Sequence, residues 1–125
     1  MMYLLDSNIL ISFLNGSKKE IDWISNAKKN NDFLGFSVIS KIETLSLSEL
    51  REEKVQDIEN FLNLFSESHL SNDIALLSAR LRRNLRLSLG DGIILATAIS
   101  RRMTLVTNDK TLIKKAKNLV EILSL

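Results

Sequence analysis

The chain has 125 residues, 17 Lys/Arg against 15 Asp/Glu for a net charge of +2, and 45% hydrophobic residues, which suits one domain over residues 1–125, long enough to bury roughly two-thirds of its unfolded surface. Having no cysteine, it excludes disulfide scaffolds, thiolate zinc sites and thiol catalysis, and it fits a reducing compartment, so the cytoplasm is the expected location. There is neither a basic start followed by a long apolar stretch nor an apolar run of about 18 residues, so no secretion signal and no membrane span are expected.

Met2 to Leu5 is a short apolar run ending at Asp6-Ser7-Asn8, which are strong helix starters ahead of Ile9, Leu10, Phe13 and Leu14. A strand followed by a helix is predicted. Asn15-Gly16-Ser17 closes that helix, and Glu20 to Lys29 forms a second with Ile21, Ile24 and Ala27 on one face. After Asn30-Asn31-Asp32, Phe33 to Ile39 is rich in β-forming apolar residues and predicts a central strand. Ser40 is the expected cap of the next helix, with Glu43 in its first turn. Residues 48–65 predict an amphipathic helix with Leu50, Ile58, Phe61, Leu62 and Phe65 inward. A brief strand near Ser68 to Leu70 precedes Ser71-Asn72, which starts a helix bearing Ile74, Leu77, Leu81 and Leu85.

Gly90-Asp91-Gly92 opens a segment from Ile93 to Ile99 that is apolar nearly all round, as in a buried helix. Leu105 to Thr107 is the next predicted strand, Lys110 to Lys117 a helix, and Val120 to Leu123 the last strand. Strands alternating with helices imply an α/β domain whose mainly parallel sheet is covered on both faces.

Charge is unevenly spread. Residues 1–42 carry five Lys/Arg and four Asp/Glu, residues 43–73 two against eight, and residues 74–125 ten against three. The basic last part contains two of four carboxylates that stand at the ends of predicted strands or the starts of the helices after them: Asp6, Glu43, Asp91 and Asp109. In open parallel sheets ligands gather beyond the carboxyl ends of the strands, so one cleft can hold all four. Carboxylates crowded together repel by about 4 kcal/mol per pair at about 4 Å and an effective dielectric near 20. A hard divalent cation, Mg²⁺ or Mn²⁺, relieves that repulsion and supports phosphate-ester hydrolysis. Taken singly, Asp6, Asp91 and Asp109 are ordinary helix caps and Glu43 an ordinary solvent-facing residue; the metal reading rests on the set.

Other chemistries are poorly supplied. His69 is the only histidine and no phosphate-binding Gly-x-x-x-x-Gly-Lys-Ser/Thr loop occurs. Ser7, Asn8 and Thr107 are placed to orient ligands or waters around the carboxylates, with helix capping and strand-end hydrogen bonding as the alternative. Lys41, Arg86 and Lys110 are candidates for contact with substrate phosphate.

Four segments carry a family resemblance: Tyr3-Leu4-Leu5-Asp6-Ser7-Asn8, Ser40-Lys41-Ile42-Glu43, Leu89-Gly90-Asp91-Gly92-Ile93-Ile94 and Leu105-Val106-Thr107-Asn108-Asp109. In order and spacing across the whole chain they resemble the PIN-domain ribonucleases, in particular the VapC-type toxins of prokaryotic toxin–antitoxin pairs. The resemblance implies a three-layer α/β/α sandwich with a five-stranded, mainly parallel sheet, Mg²⁺ or Mn²⁺ held by the four acids, and cleavage of single-stranded RNA. It also implies a homodimer and a cognate antitoxin that silences the toxin. An RNA-processing PIN nuclease without a toxin role, and a catalytically silent RNA- or protein-binding module, share the same residues. One departure is Gly90 and Gly92 on either side of Asp91, where the family often carries Pro and Ala; a looser helix entrance is expected there.

Overall fold

The computed structural model describes residues 1–125. In chain order it contains β1 (Met2–Leu5), α1 (Ser7–Leu14), α2 (Lys18–Lys29), β2 (Phe33–Ser37), α3 (Val38–Leu45), α4 (Glu52–Leu62), β3 (Ser66–Ser68), α5 (Asn72–Leu85), α6 (Leu89–Arg101), β4 (Thr104–Val106), α7 (Lys110–Ala116) and β5 (Ile122–Leu123). The sheet order is β3-β2-β1-β4-β5, and all four pairings are parallel. From β1 the chain builds outward to β3, then crosses to the other side of β1 with β4. β1 therefore lies where the strand order reverses, the position at which such sheets open a crevice.

Successive side chains of a strand point to opposite faces, and the two cores follow that rule. Leu4 and Leu105 pack on one face with Ile74, Leu81, Ile94, Leu95 and Leu112 from α5, α6 and α7. Leu5 and Val106 pack on the other with Ile9, Leu10, Ile24, Ile58 and Leu62 from α1, α2 and α4. The result is the expected α/β/α sandwich. At about 25 cal/mol per Å² of apolar surface, each fully buried Leu or Ile contributes roughly 1.5–3 kcal/mol to holding these layers together.

Several predicted boundaries move. β2 stops at Ser37 rather than Ile39, because the Ser37 hydroxyl accepts from Ile39 N at 3.2 Å and caps α3. The β-branched pair Val38-Ile39 reads locally as strand, but the cap turns it into the first helical turn. Ser40, the expected cap, lies inside α3, fully buried and with its Oγ unpartnered, and Glu43 falls in the second turn. The helix predicted over 48–65 spans Glu52–Leu62, with Glu52 and Glu53 in its first turn where they suit the helix dipole. β3 is Ser66–Ser68 rather than Ser68–Leu70. It is an edge strand held through backbone pairing to β2, so it needs no apolar side chains, and Leu70 is exposed. β4 ends one residue earlier than predicted, at Val106, and β5 is only Ile122–Leu123.

The glycines flanking Asp91 do not make a loose entrance. Ser88 caps α6, its hydroxyl accepting from Asp91 N at 3.1 Å, so Gly90, Asp91 and Gly92 all lie within the first turns. A Cβ on Gly92 would stand 2.7 Å from Arg82 Cγ and 3.0 Å from Ser78 Oγ. Gly92 thus permits the close approach of α5 to α6.

Candidate metal centre

Asp6 ends β1 and caps α1. Its Oδ1 accepts from Ser7 N at 2.7 Å, and its Oδ2 accepts from Thr107 Oγ1 at 2.6 Å and Asn8 Nδ2 at 2.9 Å. The side chain is 4% exposed. Burial outweighs these donors and pushes its carboxyl up to about 6, and repulsion from Asp91 and Glu43 adds to the rise. A carboxylate seated this deeply and facing two others is under electrostatic strain that a cation would relieve.

Glu43 reaches the same place from α3: its Oε1 accepts from Ser7 Oγ at 2.7 Å. Its carboxylate also lies where a Cβ on Gly90 would come within 3.5 Å of Oε2, so α3 and the start of α6 meet at the site. Burial raises the Asp91 carboxyl, and repulsion first from Asp109 and then from Glu43 adds to it, while Ser88 and Lys115 oppose. Asp109 caps α7, its Oδ1 accepting from Thr111 N at 3.0 Å and Leu112 N at 3.2 Å.

The structure thus brings the four acids to one rim, the outer ends of β1 and β4. Two of them, Asp6 and Asp109, also cap helices, while Ser88 caps α6 in place of Asp91. No three carboxylates stand close enough to enclose an ion by themselves. That openness fits Mg²⁺, which keeps several waters and takes only one or two carboxylates directly. The all-oxygen donor set fits Mg²⁺ or Mn²⁺ and suits a soft metal poorly.

A comparison with protein families matches residues 3–118 to the PIN domain. The chain belongs to the PIN-domain family. Among solved structures, a toxin–antitoxin complex from Klebsiella pneumoniae is 27% identical, with 97% of this chain and 95% of that one covered and a TM-score of 0.79. VapBC2 from Rickettsia felis, bound to a DNA fragment from its promoter, is 24% identical over 100% and 99% of the two chains, with a TM-score of 0.82. VapBC-1 from nontypeable Haemophilus influenzae is 21% identical over 99% and 98%, with a TM-score of 0.81. Among curated proteins nothing matches the sequence.

In this PIN domain Ser7, Asn8 and Thr107 touch the acids directly. Asn8 joins Asp6 to the loop after β4: its Nδ2 also contacts Thr107 Oγ1 at 3.2 Å, and its Oδ1 accepts from Asn108 N at 3.1 Å. Thr107 Oγ1 accepts from Asp109 N at 3.1 Å. The three candidate cations come from different elements. Lys41 pairs with Glu67 at 2.7 Å, toward β3; Arg86 ends α5 in a left-handed conformation with φ 55° and is exposed; Lys110 is exposed at the start of α7.

Two residues that sequence reasoning passed over complete the network. The Asn108 amide donates to Glu20 Oε1 at 3.2 Å, and its Oδ1 accepts from Leu125 N at 2.8 Å and Ser124 Oγ at 3.1 Å. Glu20 is buried and accepts a hydrogen bond from the Ser17 hydroxyl, which holds its carboxyl below the usual range. The signal was present in Ser17-x-x-Glu20, a capping-box pattern at the start of α2.

Proposed function

We propose that this PIN domain is a Mg²⁺- or Mn²⁺-dependent endoribonuclease, the toxin of a VapBC-type pair, acting in the cytoplasm as a homodimer and silenced by a cognate antitoxin. The observation that carries the nuclease reading is the meeting of Asp6, Glu43, Asp91 and Asp109 at the rim where β1 and β4 end, with Asp6 pushed up to about 6 by burial and by its acidic neighbours. The toxin reading draws support from structural neighbours that are toxin–antitoxin complexes over nearly their whole length. No helix is long and apolar enough to cross a membrane.

Asp6 is the fixed anchor, since three donors hold its two oxygens in place. Glu43 is oriented by Ser7, and Asp91 and Asp109 complete the acidic wall from α6 and α7. These residues would hold the cation directly or through water. When bound, the cation supplies Lewis-acid charge at the phosphodiester and lowers the pKa of coordinated water. Thr107 and Asn8 keep Asp6 from swinging away, so the oxygens stay where the charge is needed.

The test is purified protein incubated with total cellular RNA in Mg²⁺, in Mn²⁺ and in chelator, with the new 5′ ends mapped. The expected result is discrete cleavage with either cation and none in chelator. Cleavage that persists in chelator, or none with either cation, would overturn the nuclease reading. Harmless expression without an antitoxin would remove the toxin role and leave the nuclease.

A further inference from the structure

The rim around the acidic centre is electrically lopsided. On one side, residues 74–90 of α5 and its turn hold four arginines and no acid, and residues 110–120 hold four lysines and no acid. The two segments touch: Lys115 Nζ donates to the Arg86 carbonyl at 3.0 Å, and Lys115 is also the cation felt by Asp91. Lys110, Thr111, Lys114 and Lys115 alone line a surface hollow of about 540 Å³. The ion pairs of the molecule are Met1–Asp32, Lys18–Asp22, Lys41–Glu67 and His69–Glu67, so no cation of α5 or α7 has a carboxylate partner.

The other side is the reverse. Strand order places α3 and α4 on the β2–β3 side of β1 and α7 on the β4–β5 side. α4 follows α3 on that side and carries Glu52 and Glu53 in its first turn. On that side Lys41 is already neutralised by Glu67, and Arg51 and Lys54 at the start of α4 stand among Glu49, Glu52, Glu53 and Asp57, which outnumber them. Cations near helix C-termini have an ordinary explanation in the helix dipole, which covers Arg82 and Arg83 on α5 and Lys114 and Lys115 on α7. Lys110 does not share it, since it sits at the positive end of α7. Its placement favours an external anion.

We infer that a single-stranded RNA is held on one side of the acidic centre only, its phosphates running over a cationic shelf built from Arg86, Lys110, Lys114 and Lys115, while the α3–α4 side grips no backbone. This rests on the nuclease reading for the identity of the polyanion; the shelf itself rests on charge and geometry. The consequence is directional: nucleotides on the shelf side of the scissile phosphate supply binding, and those on the other side supply little.

The experiment uses full-length protein carrying Asp6→Asn to prevent cleavage, and a labelled oligouridylate of about 12 nucleotides, a length within the span such grooves accommodate. In this background Lys110→Gln/Lys114→Gln is expected to weaken binding about tenfold and to flatten the slope of log K against log salt by about 1.4, two phosphate contacts' worth for a single strand. Glu52→Gln/Glu53→Gln is expected to leave affinity within about twofold, as for charges outside the footprint. Circular dichroism confirms that each variant is folded. Equal effects of the two pairs, or RNA affinity unchanged by the lysine pair, would overturn the shelf, the latter in favour of an acidic protein partner there. If wild type cleaves no RNA but the polarity of binding holds, the nuclease reading fails and the shelf stands. If cleavage holds and the lysine pair is silent, the shelf alone fails.

Discussion

The hydroxyl of Thr107 donates to Asp6 Oδ2 at 2.6 Å, joining residues 101 positions apart in the chain. The contact follows from register: Tyr3 lies opposite Thr104 and Leu5 opposite Val106, so the two strands end level. Thr107 Oγ1 in turn accepts from Asp109 N at 3.1 Å, and one buried hydroxyl therefore ties two of the four acids together. Thr107→Val keeps the shape and removes both functions. Leaving buried groups unpaired costs about 1–3 kcal/mol; urea unfolding is expected to register that loss, and metal-dependent cleavage to fall with it, while Thr107→Ser keeps most of both. Wild-type cleavage by the valine variant would remove Thr107 from the site.

Asp6 makes stability depend on pH in a defined direction. Its folded carboxyl titrates at about 6 against 3.8 for the ordinary group, so between those values the folded state binds more protons than the unfolded chain. Stability contributed by protonation is full below about 3.8, falls as pH rises through about 6, and is gone above it. The shift of about two pKa units corresponds to roughly 3 kcal/mol at most. Asp6→Asn cannot ionise, so in chelator at pH 7.5 it is expected to be more stable than wild type by about 1–2 kcal/mol, with the gain shrinking toward pH 4. A variant less stable than wild type at pH 7.5 would contradict the electrostatic strain assigned to Asp6.

The two glycines beside Asp91 are expected to respond oppositely to alanine. A Cβ at Gly90 meets only the Glu43 carboxylate, at 3.5 Å or more, and alanine there gains about 0.5–1 kcal/mol of helix stability. At Gly92 the added carbon lies 2.7 Å from Arg82 Cγ, and overpacking of about 1–3 kcal/mol outweighs that gain. Thermal unfolding of Gly90→Ala and Gly92→Ala should therefore move the midpoint up and down respectively. A raised midpoint for Gly92→Ala would show that α5 and α6 are less closely held than they stand here.

Divalent cation should stabilise the fold by binding the native state alone. Saturation at about 100 times the dissociation constant adds about 2.7 kcal/mol. Because protons compete for Asp6, the Mg²⁺-induced rise in melting temperature is expected at pH 7.5 and to fade below about pH 6, in step with the raised Asp6 carboxyl. A cation effect of equal size at pH 5 and pH 7.5 would place the ion elsewhere.

Much of this was legible in the residues. The short apolar runs at Met2–Leu5 and Leu105–Thr107 announced strands, their alternation with helices announced a sheet covered on both faces, and the all-round apolar run from Ile93 announced the buried α6. What misled was local chemistry decided by distant contacts. Val38 and Ile39 favour strand, but Ser37 caps them into a helix. Ser66-Glu67-Ser68 carries no strand pattern, because an edge strand is held by backbone bonds to β2. The four acids could be picked out by position relative to strands, whereas Glu20 and Asn108, 88 residues apart, touch only because α2 and the β4–α7 loop fold against each other. Lys41 looked free until β3 brought Glu67 to it.

The central claim is that Asp6, Glu43, Asp91 and Asp109 share one cation site. Titration of Mn²⁺ into the folded protein, followed by the electron paramagnetic resonance signal of the free ion, tests it without recourse to activity. Asp6→Asn, Glu43→Gln, Asp91→Asn and Asp109→Asn are each expected to weaken binding by about tenfold or more, about 1.4 kcal/mol, with secondary structure intact. Wild-type Mn²⁺ affinity retained in Asp6→Asn and Asp91→Asn alike would contradict the account.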